Sequence, residues 1–201
     1  MNKLSKTAKT LAKIMKVLRG ICIGFAIACA VLLVIGLVLP DSMYGSFVNL
    51  GDQVIDLGNL RLELSRAIEP TGSIRLIACA ELVAALISLG LGAAGLHLLY
   101  NIFSPMAEAR PFDESVAVNL KKLAWLSLVA VVAYLMLGGV AAMLEMRLYD
   151  INQLFAPDLV KSVTIEGSAN LSMLLIPAVL FLLSYVFKYG EELQRQSDET
   201  L

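Results

Sequence analysis

Twenty-five consecutive residues, Leu76–Tyr100, carry one charged side chain, Glu81, and one histidine, His97. A helix of that length at ~1.5 Å per residue crosses a hydrocarbon core of ~30 Å, so the stretch reads as a transmembrane helix. A carboxylate inside a membrane costs roughly 2.5–3.5 kcal/mol. Glu81 is therefore expected to face protein, to be protonated or to be paired.

The remaining composition fits one polytopic membrane domain. The chain has 201 residues, of which 58% are hydrophobic, which is too apolar for an ordinary soluble domain and too short for a large transporter. A net charge of −1 offers no general attraction to a polyanion, so direct nucleic-acid binding is not expected. Cys22, Cys29 and Cys79 lie in or beside apolar runs and form no CxxC pair. They read as small hydrophobes in helix packing, with neither a metal site nor a disulfide framework implied.

Residues 1–19 hold Lys3, Lys6, Lys9, Lys13, Lys16 and Arg19. At 100° per residue, Leu4, Ala8, Leu11, Met15 and Leu18 share one face, and Lys6, Lys9, Lys13 and Lys16 the opposite one. A basic amphipathic helix over 3–19 is expected, suited to lying on an anionic cytoplasmic leaflet. The competing explanation is that any first span starting in the cytoplasm is preceded by lysines. Residues 20–39 form the first span, stopped by Pro40-Asp41. It is read as retained, since no small-x-small cleavage site closely follows it. Gly20, Gly24 and Ala28 repeat every fourth residue, a surface that allows close helix approach and self-association of the chain.

The first outer connection contains Leu60–Leu64, which alternates like a strand, while Leu57, Leu60, Leu64 and Ile68 also fit a helix; both readings stand. The second span covers about 74–100. Its Glu81, Ala85, Ser88, Gly92 and Gly95 share a narrow face, so the intramembrane acid is expected to turn toward the other helices. His97 lies far along the axis from Glu81, where its polar tip would reach headgroups. Residues 101–122 form an inner connection, with Pro111 ending one helix and Asp113 as N-cap of the next. The third span is 123–144, with Tyr134 on a small-residue stripe. The second outer connection includes Ser162–Glu166, which would form a small extracytoplasmic cap if it paired with Leu60–Leu64. The fourth span, 170–187, is interrupted by Pro177, and 188–201 is a polar tail.

Lysine and arginine distribution sets the expected orientation. Eleven of them fall in the N-terminal segment, the 101–122 connection and the tail, against five on or beside the other side. Both termini are thus expected in the cytoplasm. The expected fold class is all-α, a four-span transmembrane helical bundle.

Four spans, a Pro-Phe pair before span three and a terminal Tyr-Gly-x-x-Leu-Gln-x-x-Ser-Asp-Glu-Thr-Leu resemble the domain-of-unknown-function 2975 family of small bacterial membrane proteins. The matching residues are Pro111 and Phe112, then Tyr189, Gly190, Leu193, Gln194, Asp198, Glu199, Thr200 and Leu201. The resemblance implies a multi-pass protein of the bacterial cytoplasmic membrane. It further implies association with a small cytosolic helix-turn-helix regulator, since members are often encoded beside one.

Two features are candidates for function. Glu81 would lie at about the depth of Pro177, which frees the carbonyl of Met173; a neutral Glu81 could donate to that region or to Tyr134 as a buried latch. The alternative is a small proton- or ion-coupled transporter or channel that titrates Glu81. On the cytoplasmic face, Arg110, Pro111, Phe112 and Asp113 with the tail could form a docking platform for a partner. A blander role for Glu191, Glu192, Asp198 and Glu199 is to neutralise the N-terminal lysines. No Gly-rich phosphate loop, GxSxG or HExxH occurs, so neither an enzyme nor a cofactor is expected. Asp41, Asp52 and Asp56 lack the spacing of an EF-hand.

Overall fold

The computed structural model describes residues 3–39, 54–56, 61–63, 73–108, 110–149 and 171–199. Four long helices dominate: α1, Lys3–Val38; α2, Ile74–Ala107; α3, Glu114–Tyr149; and α4, Leu175–Glu199. All four are long and apolar enough to cross a membrane. A short antiparallel pair joins β1, Val54–Asp56, to β2, Arg61–Glu63, with Ile55 opposite Leu62 and Asp56 opposite Arg61. Arg61–Glu63 is thus strand and not helix. The expected partner at Ser162–Glu166 lies outside the described residues, as do Asp41 and Asp52.

Helix boundaries differ from expectation in three places. α1 runs unbroken through Arg19 and Gly20, so the lysine-rich segment is not a separate element. It adds about 17 residues to a span and brings α1 to about 54 Å at ~1.5 Å per residue. α2 continues past Tyr100 to Ala107 with Pro105 inside its last turn, and the Pro105 carbonyl accepts the amides of Glu108 and Arg110, both at 3.0 Å. Pro111 therefore does not end this helix; the chain has already turned. Pro177 does not interrupt α4 either. A 3-10 turn, Leu171–Leu174, leads into α4, and Pro177 is its third residue. First-turn amides have no intrahelical acceptor, so the missing N–H costs little there.

The chain divides into two compact units: 1–27 with 87–133 and 170–201, and 28–86 with 134–169. In the first, Ile102, Val116 and Leu120 are buried, with Val116 fully enclosed, and Leu99, Met106, Leu123, Leu180 and Phe187 pack around them. The Ser184 hydroxyl, also buried, donates to the Ala117 carbonyl at 3.0 Å and ties α4 to α3. Trp125 meets Phe181 edge-on at 5.4 Å. Gly95 of α2 lies beside Leu123 and Leu126 of α3, with room for a β-carbon in ordinary contact with both. On α1, Ser5, Ala8 and Ala12 are buried on one face.

This packing is concentrated toward the lysine-bearing part of the unit. Farther along the helices, Phe25 and Leu182 are exposed, and within the lysine-bearing part Ile14, Val17, Tyr189 and Leu193 are exposed as well. Water drives apolar burial, whereas lipid tails are as apolar as leucine and leave such side chains uncovered at no cost.

In the second unit, the Arg75 guanidinium donates to the Leu37 carbonyl near the end of α1. A cation at a helix C-terminus satisfies an orphan carbonyl and complements the helix dipole.

Candidate interaction platform

The connection between α2 and α3 is short, residues 108–113, and Asp113 organises it. Its backbone carbonyl accepts the Val116 amide at 2.9 Å, and Oδ1 accepts the Ser115 amide at 3.0 Å and the Ser115 hydroxyl at 2.6 Å. Asp113 is thus the N-cap of α3, as its place before an apolar run implied. The Ser115 hydroxyl above all, then the Ser115 amide and Arg110, hold its carboxyl below the usual aspartate range, with partial desolvation opposing. Arg110 reaches Asp113 Oδ2 at 3.3 Å and also pairs with Glu108. The bond to Glu108 is the main reason the guanidinium is held still more firmly protonated, and Asp113 adds to it.

Phe112 joins this turn to α4. Its ring lies 5.9 Å from that of Phe187 at 42°, and it covers Gly190. A β-carbon at 190 would stand 2.6 Å from Phe112 Cδ1 and Cε1, closer than side chains approach one another. Glycine within a helix costs about 1 kcal/mol relative to alanine, and here the cost makes room for a ring. The structure therefore brings together Pro111-Phe112 and Tyr189-Gly190, segments 77 residues apart in the chain.

Around this contact Phe112 stays 42% exposed, and Tyr189, Leu193 and Gln194 are exposed on α4. The tail is helical as far as Glu199, with Arg195 and Glu199 paired at 3.7 Å, and Lys188, Glu191, Glu192 and Arg195 line a shallow surface depression. The Asp198 side chain, Thr200 and Leu201 lie outside the described residues. Lys6, Lys9, Lys13 and Lys16 are all exposed. Among the described residues, the ion pairs are those of Arg110 and of Arg195, and none joins a lysine of α1 to an acid of α4. The neutralisation expected from the tail is not observed there.

One contact was not anticipated. Arg19 Nη1 lies 2.9 Å from His97 Nδ1, and His97 Nε2 lies 3.5 Å from the Asn101 amide. Arginine only donates, so Nδ1 is the acceptor of this contact. His97 thus links α2 to α1, where a headgroup contact was expected. The i,i+4 spacing of His97 and Asn101 was visible in the sequence, but the reach of Arg19 was not.

The second unit alters the reading of Glu81. Its side chain is exposed and does not turn inward. Tyr134 is 63% exposed, and among the described residues no hydrogen bond joins it to Glu81. The latch between these two is not formed. On the same stripe Gly92 has open space where a β-carbon would be, while Gly95 meets Leu123 and Leu126 of α3. Cys22, Cys29 and Cys79 are free and partly buried. No cluster of His, Cys, Asp and Glu able to hold a metal is present among the described residues.

No family model, curated protein or solved structure matches the chain.

Proposed function

We propose that this is a multi-pass protein of the bacterial cytoplasmic membrane, with both ends in the cytoplasm, that binds a cytosolic partner and performs no catalysis. The observation that carries this reading is the seating of Phe112 on Gly190. It makes the 108–113 turn and the α4 tail one packed surface outside the apolar spans. Exposed Tyr189 and Leu193 beside it present apolar area on that surface. Tyr is among the side chains enriched at binding hot spots. The resemblance of the Pro-Phe and Tyr-Gly segments to the 2975 family points to a small helix-turn-helix regulator as the partner class.

A pull-down in mild detergent tests this, comparing the full chain with one ending after Leu193 and with Phe112→Ala. Capture of a cytosolic protein by the full chain alone supports the platform; equal capture by all three refutes it.

A second reading rests on Glu81, an exposed carboxyl inside a predicted span without a hydrogen-bond partner among the described residues. Such a group suits a small proton- or ion-coupled carrier. Proton flux into liposomes that disappears in Glu81→Gln would favour it.

A further inference from the structure

The lysines of α1 stand between two unlike neighbours. At ~100° per residue, Lys6, Lys9, Lys13 and Lys16 share an arc of about 80°, and all four are exposed. Ser5, Ala8 and Ala12, buried, adjoin this arc on one side. Val17, Ile21, Ile14 and Leu18, all exposed, follow it on the other side. Toward the N-terminus that second side carries Thr7 and Thr10, also exposed. Its character therefore changes from polar to apolar between Thr10 and Ile14.

This change marks where the helix enters hydrocarbon. Residues 14–38 make about 37 Å of helix at ~1.5 Å per residue, enough for a ~30 Å core with some tilt. Lys13 and Lys16 then lie at the edge of the core, where long side chains turn their ammonium groups outward. Lys9 stands about 6 Å beyond Lys13, at headgroup depth, and Lys6 about 10.5 Å beyond it, at the outer margin. The helix is continuous across this boundary, so it passes through the headgroup layer and does not lie along it. Among the described residues, no ion pair engages any of the four ammonium groups.

We propose that this side of α1 binds an anionic phospholipid, with its phosphate among Lys9, Lys13 and Lys16 and an acyl chain along Val17 and Ile21. Lys13, Val17 and Ile21 follow one another at four-residue intervals, a ridge whose ammonium group lies at the headgroup end and whose apolar side chains lie at the chain end. A zwitterionic lipid supplies the chain without net charge, and a soluble anion supplies the charge without the chain. Only an anionic lipid matches both halves of the surface.

The test is native mass spectrometry of the full chain in a neutral detergent, titrated with phosphatidylglycerol and, separately, with phosphatidylcholine of the same acyl chains. Phosphatidylglycerol should bind the more tightly. A lysine at an anionic headgroup is worth ~1 kcal/mol, so Lys13→Gln should weaken phosphatidylglycerol binding roughly fivefold and leave phosphatidylcholine binding unchanged. Changing Lys9, Lys13 and Lys16 together to Gln should make the two lipids bind alike. Changing the same three to Arg should keep the preference, which separates lost charge from a misfolded helix. Equal affinity for the two lipids in the wild type, or an undiminished preference in the triple Gln variant, overturns the proposal. So does displacement of bound phosphatidylglycerol by equimolar glycerol 1-phosphate, acidic helical peptide or single-stranded DNA, which would assign the lysines to a soluble anion. The assay involves neither a cytosolic protein nor a sided membrane, so its failure leaves the platform standing, and failure of the pull-down leaves the lipid surface standing.

Discussion

Phe112 and Gly190 occupy one another's space: the ring carbons Cδ1 and Cε1 lie 2.6 Å from where a β-carbon at 190 would project. Alanine at this helical position ought to be favourable by about 1 kcal/mol from propensity alone. Gly190→Ala is instead expected to destabilise by about 1–3 kcal/mol, because the ring must move out of its contact with Phe187. In a Phe112→Ala background the same substitution becomes neutral or stabilising. Unfolding in mixed micelles across this double-mutant cycle measures the coupling, and a stable Gly190→Ala single variant would contradict it.

Asp113 supplies a pH dependence whose sign is determined. Its carboxyl titrates below the ordinary aspartate value, so its contribution is complete above that value and is lost as pH falls through the lowered one. Acid unfolding of the wild type should therefore show a component on the acid side of pH ~4 that Asp113→Asn lacks. Asparagine still accepts the Ser115 amide, so it should keep most of the stability at neutral pH. Asp113→Ala should lose about 1 kcal/mol there.

Ser184 is buried with its hydroxyl on the Ala117 carbonyl at 3.0 Å. Ser184→Ala is expected to cost about 1 kcal/mol, the usual net worth of one hydrogen bond. Ser184→Leu should cost more than Ser184→Ala, since it forces extra volume between α3 and α4. Equal stability of the two variants would show that this interface is loose.

Nitrogen-15 spectroscopy of His97 should show Nδ1 accepting a hydrogen bond. Arg19→Ala removes the donor 2.9 Å away and should shift the Nδ1 resonance, whereas Lys16→Ala should not. An unchanged spectrum in Arg19→Ala would mean that the two side chains do not meet in solution.

Much of this architecture was legible from the chain. Apolar runs of span length mark four helices, and Asp113 before an apolar run marks a helix start. The inward face of each helix was not legible, and Glu81 shows why. In water an apolar stripe reveals the buried side, but in a membrane lipid and protein interior are both apolar and the pattern loses its direction. The small-residue stripe suggested an interface along its length, whereas Gly95 meets α3 and Gly92 faces open space. Pro177 was misplaced for a different reason: a proline is tolerated in a first turn and disruptive four residues later, and propensity alone does not locate the turn. The contacts of Phe112 with Gly190 and of Arg19 with His97 each join residues 78 apart in the chain, and no local periodicity records such pairs.

The most direct test of the platform removes the end of α4 and leaves every span in place. The full chain and a chain ending after Leu193 are purified side by side in mild detergent, and co-purifying proteins are identified by mass spectrometry. A docking platform requires a cytosolic protein bound to the full chain and absent from the shortened one, with both chains recovered equally from the membrane. The same protein on both chains, or on neither, would contradict it.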